Sequence, residues 1–169
     1  MMYDFKDKIV VITGAARGIG HKIATDFKAC GAIVAIIDQI SCEAIFDYAY
    51  EGDISNERIL EDFATAVLTR YGKIDCLINN ACVSKGGLYD ASYDDFLYVQ
   101  KVGVLAPFIL SKRFTPYFNH NGAIVNIAST RAFQSQENTE CYSAAKGGLI
   151  ALTHALAVSL KGKVRVNAD

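Results

Sequence analysis

The stretch of sequence that decides the fold is KIVVITGAARGIGHKIATDF, residues 8–27. Its first part, Lys8 to Ile12, is rich in β-branched residues and predicts a strand buried on both faces. Gly14, Gly18 and Gly20 then lead into an amphipathic helix predicted at 18–29. Glycines allow a tight turn and let a pyrophosphate reach the free N–H groups at a helix N-terminus. The stretch therefore predicts a strand, a phosphate-binding loop and a helix.

An acidic residue ends the next predicted strand, which covers 32–37. Asp38 lies eighteen residues after Gly20, close to the spacing at which a carboxylate binds an adenosine ribose and repels a 2′-phosphate. An aspartate at this place could also simply begin a turn. Arg17 lies inside the glycine loop and could contact a phosphate, so the sequence predicts NAD and leaves NADP open.

A phenol and an ammonium are spaced one helical turn apart in CYSAAKGG, residues 141–148. Tyr142 and Lys146 would share one helix face. A nearby cation lowers the pKa of a phenol from about 10 towards values suited to general acid–base chemistry. Ser129 follows a predicted strand at 123–128 and is therefore expected at the carboxyl end of the sheet, where ligands bind in open α/β folds. A Tyr and a Lys at this spacing are also typical of an ordinary helix surface.

Strands and helices alternate along the chain. Strands are predicted at 8–12, 32–37, 46–50, 74–78, 123–128 and 163–167, and helices at 18–29, 55–70, 93–118 and 140–160. This alternation predicts an α/β fold with a doubly wound parallel sheet, in one domain over 1–169. Only Gln39 to Ile45 connect the second and third strands, whereas a parallel crossover usually needs about a dozen residues. A degenerate turn of helix is expected there, with one sheet face thinly covered.

Composition narrows the classes of function. The chain is 51% hydrophobic and 21% charged with a net charge of −1, which is typical of a globular domain and gives no electrostatic reason for binding nucleic acid or an anionic membrane. Its most apolar stretch, Leu149 to Leu160, is too short to span a bilayer, and no signal peptide pattern is present. Five cysteines without metal spacing predict reduced cytosolic thiols. The three histidines fall on separate predicted elements, so no metal site is predicted.

Together these motifs resemble the short-chain dehydrogenase/reductase family. The resemblance rests on TGAARGIG (13–20), Asp38, Asp53, NNAC (79–82), Ser129 and YSAAK (142–146), in family order. It implies a Rossmann-type fold that binds a nicotinamide dinucleotide. The cofactor-binding residues it implies are Thr13, Gly14, Arg17, Gly18, Ile19, Gly20, Asp38, Asp53, Ile54, Asn79, Asn80, Ala81, Tyr142 and Lys146.

The resemblance also implies roles in a reaction. Tyr142 would exchange a proton with the substrate oxygen, and Lys146 would lower the pKa of Tyr142 and hold the nicotinamide ribose. Ser129 would hydrogen-bond the substrate carbonyl or alcohol. Asp53 and Ile54 would flank the adenine. The implied activity is hydride transfer between a secondary alcohol and a ketone, in a homodimer or higher oligomer. The cysteine pattern predicts a cytoplasmic location.

Three features depart from the family pattern. Gly103 stands where the family carries an asparagine of its proton relay, and restoring that asparagine is expected to maintain or raise activity. Cys82 replaces the last glycine of NNAG. The family's Pro-Gly loop, substrate-binding segment and last strand have no counterpart after VRVNAD, so the chain is expected to be C-terminally truncated, with 163–167 at a sheet edge.

Two other functions remain open. The chain could be a cofactor-binding protein with little or no turnover, because Gly103 lacks a relay side chain and the substrate segment is missing. Sugar-nucleotide epimerases share the Tyr and Lys, but they usually space the loop glycines as GxxGxxG and are much longer.

Overall fold

The computed structural model describes residues 3–42 and 45–169. Helices and strands alternate as predicted. The first half contains β1 (Ile9–Thr13), α1 (Gly18–Ala29), β2 (Ile33–Asp38), β3 (Tyr48–Glu51), α2 (Glu57–Tyr71) and β4 (Ile74–Asn79). The second half contains α3 (Tyr93–Gln100), a π-helical segment (Lys101–Leu105), α4 (Ala106–Phe114), a 3₁₀ turn (Thr115–Tyr117), β5 (Phe118–Asn126), a second 3₁₀ turn (Thr130–Ala132), α5 (Glu140–Ser159) and β6 (Val164–Ala168).

The six strands form one parallel sheet in the order β3-β2-β1-β4-β5-β6. The strand order reverses between β1 and β4. In open α/β sheets the crevice at such a reversal, outside the carboxyl ends of the strands, is where ligands bind. The doubly wound Rossmann-type prediction is confirmed.

Each face of the sheet has its own core. On one face α2 and α4 pack over residues such as Val11, Leu77 and Ile124. On the other face α1 packs over Val10 and Ile12. Alternate residues of β1 enter opposite cores because successive side chains of a strand point to opposite faces.

The face beneath α1 is the more thinly covered one, as predicted. Ala49 of β3 is exposed, whereas Tyr48 and Tyr50 of the same strand pack on the opposite face. The short link between β2 and β3 explains the thin cover, since no helix lies in its described residues, 39–42 and 45–47, which form bends and a turn. The predicted turn of helix extends into residues 43 and 44, which lie outside the described residues.

The segment predicted as one helix at 93–118 is helical over 93–117 but is not a single regular α-helix. It divides into α3, the π-helical segment, α4 and a 3₁₀ turn. Pro107 lacks the N–H that would bond to the carbonyl of Gly103 four residues earlier, and its ring crowds that carbonyl. The turn widens accordingly, and the N–H of Ala106 bonds to the carbonyl of Lys101, five residues back.

The fifth strand also differs from its prediction. β5 begins at Phe118 rather than 123 and ends at Asn126 rather than 128. Pro116 lies in the 3₁₀ turn just before the strand, and a proline there stops the helix earlier than the apolar pattern indicates. Ser129 is thus not the residue that follows the strand directly but the N-cap of the second 3₁₀ turn. The other predicted elements differ from the structure by two residues or fewer at their ends.

Candidate active site

The glycine loop joins β1 to α1 through two left-handed residues and one close contact. Gly14 and Gly18 have φ angles of 68° and 62°, a region that glycine adopts at little cost. A Cβ at Gly20 would lie 2.2 Å from the carbonyl oxygen of Gly14 and 2.4 Å from Nδ2 of Asn80. The loop therefore requires glycine at 14 and 18 for conformation and at 20 for packing.

Two side chains fix the back of this loop. Nδ2 of Asn80 donates hydrogen bonds to the carbonyl oxygens of Thr13 and Gly14, at 2.9 and 2.8 Å. Oγ1 of Thr13 accepts from the backbone N–H groups of Asn80 and Ala81, at 3.1 and 3.0 Å. The end of β1 is thereby tied to the end of β4.

The loop forms one wall of a cleft of about 320 Å³ at the carboxyl ends of β1, β2 and β4. The predicted cofactor residues that line it are Gly14, Arg17, Gly18, Ile19, Gly20, Asp38, Ile54, Asn80 and Ala81. Ile19 is 66% exposed, so this apolar side chain of α1 is available to a ligand. Glycine backbone, a helix N-terminus and apolar walls together fit a dinucleotide.

Two of the predicted cofactor residues are buried and do not line the cleft. Thr13 is buried and its hydroxyl binds the backbone at 80 and 81. Asn79 is also buried, and its Nδ2 donates to Oδ1 of Asn126 at 2.8 Å. Nδ2 of Asn126 in turn donates to Oγ1 of Thr153 on α5, also at 2.8 Å. This buried chain connects β4, β5 and α5 beneath the site.

Asp38 lies at the far side of the cleft from the end of β4. Its Oδ2 accepts from the N–H of Ala16 at 2.9 Å, and its Oδ1 accepts from the N–H of Ile40 at 3.2 Å. The carboxylate therefore fixes the glycine loop to the end of β2 while it faces the cleft.

Asp53 follows β3, between two residues that line the cleft, Gly52 and Ile54. Its Oδ1 accepts from the N–H of Ser55 at 2.8 Å and its Oδ2 from the hydroxyl of Tyr98 at 3.2 Å. Burial acts to raise the pKa of Asp53, but hydrogen bonds from Ser55, Gln39 and Tyr98 outweigh it, and the pKa is lowered.

The three predicted catalytic residues converge beside this cleft. Tyr142 lies on the first turn of α5 and Lys146 on the next, and the Lys146 ammonium is 5.5 Å from the centre of the Tyr142 ring. Ser129 accepts from the N–H of Arg131 at 3.2 Å, which leaves its own proton free to be donated. A hydrogen bond between Ser129 and Tyr142 acts to lower the pKa of the phenol. Cys82, which lines the cleft, interacts with both Tyr142 and Lys146.

The expected direction of the Tyr142 pKa is wrong for this structure. Burial raises the pKa of Tyr142, and the Cys82 thiol raises it further; hydrogen bonding from Ser129 and the charge of Arg131 oppose this without reversing it. The Lys146 ammonium lies 5.5 Å from the centre of the ring, and its Nζ donates to the carbonyl oxygen of Ile127 at 2.6 Å. The phenol is consequently neutral at neutral pH.

Lys146 is a buried cation held by the backbone. It is 2% exposed, and burial lowers its pKa while the interaction with Cys82 acts to raise it. Desolvating an ammonium is costly unless hydrogen bonds replace its water, and the Ile127 carbonyl supplies one for its three N–H donors. The remaining donors can hold a ligand hydroxyl.

Gly103, the first departure from the family pattern, lies in the π-helical segment and packs against α5. A Cβ at this position would be 2.9 Å from Cβ of Ala145. Ala145 immediately precedes Lys146, so the absence of a side chain at 103 lets the helix that carries Tyr142 and Lys146 approach closely.

Several residues of the cleft were not predicted. They are Ile37, Gln39, Ile40, Gly52, Val83 and Val102. Gln39 and Ile40 directly follow Asp38, so the end of a parallel strand was a usable signal for them. Val102 lies on the π-helical segment far along the chain, and only the tertiary fold brings it to the cleft.

Two classes of feature are not found in the described part of the chain. Within residues 3–42 and 45–169, there is no group of three or more His, Cys, Asp or Glu side chains that could hold a metal ion. No helix in those ranges is long and apolar enough to cross a membrane.

This geometry defines a class of protein: an α/β fold with a glycine-loop cleft for a dinucleotide and a Ser, Tyr and Lys site beside it. The sequence profile of the short chain dehydrogenase family matches residues 8–168. The chain belongs to that family.

Relatives and solved structures agree with this membership. An uncharacterized oxidoreductase of Thermotoga maritima is 37% identical over 90% of this chain and 65% of its own length. Meso-2,3-butanediol dehydrogenase of Serratia marcescens is 34% identical over 97% of this chain and 70% of its own. The chain thus spans about two thirds of the length of these curated relatives.

Two solved structures contain nicotinamide cofactors. A 3-ketoacyl-(acyl-carrier-protein) reductase from Brucella melitensis, complexed with NADH, has a TM-score of 0.91 and 31% identity over 98% of this chain and 75% of that one. A short chain dehydrogenase from Burkholderia cenocepacia, in complex with NADP, has a TM-score of 0.91 and 28% identity over 98% of this chain and 74% of that one. Related proteins with this fold therefore bind either nicotinamide cofactor.

Proposed function

We propose that this chain is an NAD-dependent oxidoreductase that interconverts a secondary alcohol and a ketone. The observation that carries the proposal is the convergence of Ser129, Tyr142 and Lys146 beside the glycine-loop cleft. A hydroxyl, a phenol and an ammonium there can bind a substrate oxygen and exchange a proton with it.

The cleft fits the cofactor that this reaction needs. When bound, a nicotinamide dinucleotide supplies or accepts the hydride. Gly14, Gly18 and Gly20 leave the backbone accessible to its pyrophosphate, and the N-terminus of α1 favours an anion. Asp38 favours NAD over NADP because its charge repels a 2′-phosphate.

The chain's own residues divide the remaining work. In the reducing direction, the neutral phenol of Tyr142 donates its proton to the oxygen of the substrate. Ser129 donates a hydrogen bond to the same oxygen and holds it in place. Lys146 keeps positive charge next to the phenol, which stabilises the phenolate that forms as the proton leaves.

The alternative is a cofactor-binding protein with little or no turnover. Gly103 favours it, because a glycine provides no side chain for a proton relay.

The proposal also covers the substrate class, the cellular location and the oligomeric state. We expect a small alcohol or ketone as substrate and a cytoplasmic location, in keeping with the free thiols of Cys30, Cys76, Cys82 and Cys141. A homodimer or higher oligomer is expected, because Phe108 and Val158 expose apolar surface, at 40% and 77%.

Replacing Tyr142 by Phe tests the reaction. Binding of NADH and NADPH is followed by fluorescence, and turnover is measured on a panel of secondary alcohols that includes 2,3-butanediol. Tyr142→Phe should lower kcat by about 10² to 10⁴ and leave NADH binding nearly unchanged. Lys146→Ala should weaken both, since its ammonium serves the phenol and the ribose.

Tyr93→Phe is the matched control, because Tyr93 is 79% exposed and lies outside the site; it should behave as wild type. Wild-type turnover by Tyr142→Phe would overturn the catalytic assignment. NADH binding without turnover on the whole panel would favour the alternative function.

A further inference from the structure

Three side chains from separate segments meet beside the cleft, which the first of them lines. They are Gln39 after β2, Asp53 after β3 and Tyr98 on α3. Nε2 of Gln39 donates to the Tyr98 hydroxyl at 2.5 Å, and that hydroxyl donates to Oδ2 of Asp53 at 3.2 Å. We call these three residues the rim triad.

The hydrogen bonds of the rim triad have a fixed direction. A carboxylate can only accept, so the single proton of the Tyr98 hydroxyl points to Asp53. The amide of Gln39 then takes the role of donor to the Tyr98 oxygen. Loss of the hydroxyl would break both bonds at once and leave Gln39 and Asp53 without their shared partner.

Packing holds the hydroxyl of Tyr98 in place. Its ring packs against the core cluster that contains Ile54 and Val102, and the Lys85 ammonium lies 5.8 Å from the centre of the ring. Asp53 is fixed at both oxygens, by Ser55 at one and by Tyr98 at the other. Gln39 also hydrogen-bonds Asp53. A carboxylate offers about four lone-pair sites, so the bonds from these three residues leave acceptor capacity at a defined orientation.

The rim triad adjoins apolar walls suited to a flat base. Gln39, Gly52 and Ile54 line the cleft directly, as does Val102. A purine that carries an exocyclic amino group would satisfy the remaining acceptor capacity of Asp53. A purine with a carbonyl oxygen at that position would place two acceptors against each other.

We propose that Tyr98 is a positioning residue for the base of the dinucleotide: by fixing Asp53 and Gln39, it makes this end of the cleft selective for adenine over hypoxanthine. This inference rests on the proposed dinucleotide binding. It adds a residue on α3, outside every motif of the sequence, to the cofactor site.

The test is a binding measurement that does not depend on turnover. Isothermal titration of the full chain with NAD and with nicotinamide hypoxanthine dinucleotide gives the two dissociation constants and their ratio. The wild-type chain should prefer NAD. Tyr98→Phe keeps the ring and removes the hydroxyl, and it should weaken NAD binding about tenfold and reduce the preference by a similar factor.

Controls separate this role from a general effect on folding. Tyr93→Phe, on the same helix, should leave both dissociation constants unchanged, and circular dichroism should show Tyr98→Phe folded. Gln39→Ala provides a second variant at an exposed position, where loss of folding is not expected. Combined with Tyr98→Phe, it should weaken NAD binding by less than the product of the two single effects, because both remove one shared network.

The outcomes distinguish the two proposals. Wild-type binding with an unchanged preference in Tyr98→Phe and Gln39→Ala would overturn the role of Tyr98 while the proposed function stands. Tighter NAD binding by Tyr98→Phe would also overturn it, since the hydroxyl would then compete with the base. A wild-type chain that binds neither dinucleotide would overturn the proposed function and this inference together.

Discussion

Asp38 combines a structural role with the cofactor selectivity proposed for it. It bonds the backbone at Ala16 and Ile40 and faces the cleft with a negative charge. The proposed selectivity depends on the charge of Asp38, whereas its support of the glycine loop depends on its acceptor atoms. Substitutions can separate the two.

Asp38→Asn and Asp38→Ser should both narrow the preference for NADH over NADPH, because a carboxylate about 4 Å from a 2′-phosphate costs on the order of 1–4 kcal/mol. Asp38→Asn retains an acceptor and should lose less NADH affinity than Asp38→Ser. Fluorescence titration of each variant with both cofactors checks this. Equal affinity of the wild-type chain for the two cofactors would contradict the assignment.

The surroundings of Tyr142 predict a pH dependence. Ketone reduction needs the protonated phenol, so its rate should be high below the pKa of Tyr142 and fall as pH rises through it. Cys82 raises that pKa and Arg131 lowers it. Cys82→Ala should therefore move the alkaline limb of the kcat profile to lower pH, and Arg131→Gln should move it to higher pH.

The kcat profiles of wild type, the two variants and Tyr93→Phe, recorded at saturating cofactor, measure these shifts. If the alkaline limbs of Cys82→Ala and Arg131→Gln moved in the same direction, Cys82 and Arg131 would not act on the phenol as this structure indicates.

At the scale of elements, the close contact between the π-helical segment and α5 decides what position 103 tolerates. A Cβ there would lie 2.9 Å from Cβ of Ala145, which cannot swing aside. The expectation that an asparagine at 103 would maintain or raise activity is therefore revised. Any side chain at 103 must displace the helix that carries Tyr142 and Lys146.

Gly103→Asn should lower the free energy of unfolding by about 1–3 kcal/mol through overpacking and should reduce kcat. Gly103→Asn combined with Ala145→Gly removes the colliding methyl group and should recover stability relative to Gly103→Asn alone. Chemical unfolding and kcat are measured for both variants. Ala145→Gly alone is the control, because a glycine within a helix by itself lowers stability by about 1 kcal/mol. If Gly103→Asn were as stable as wild type, α5 would be able to move away from residue 103 without cost, and the prediction would be wrong.

At the scale of the whole molecule, the sheet ends at β3 on one side and β6 on the other. Within residues 3–42 and 45–169, β6 pairs with β5 alone, so its outer N–H and C=O groups can pair with another chain. Exposed apolar side chains on the helices, such as Phe108 and Val158, offer a second route to association.

Prepared as residues 1–169, the chain should therefore self-associate or be only marginally stable. Light scattering after gel filtration, over a range of protein concentrations, measures this. Phe108→Glu and Val158→Glu should reduce association if the helices form the contact, whereas Tyr3→Glu, at a 66% exposed site outside both helices, serves as control. A stable monomer at all concentrations would refute the prediction.

The sequence by itself determined the alternation of strands and helices, the parallel sheet and the conformation of the glycine loop. These follow from local patterns: β-branched runs, glycines before an amphipathic helix, and a Tyr and Lys one turn apart. It also indicated Ser129, Asp38 and Asp53, because polar residues at the ends of parallel strands must meet at one edge of the sheet.

Only the tertiary structure decided the environment of those residues. Burial and the Cys82 thiol raise the pKa of Tyr142, and the carbonyl of Ile127 takes a hydrogen bond from Lys146. Tyr98 reaches Asp53 across 45 residues of sequence. Such effects depend on distances and desolvation between segments that are remote in the chain, and no local pattern encodes them.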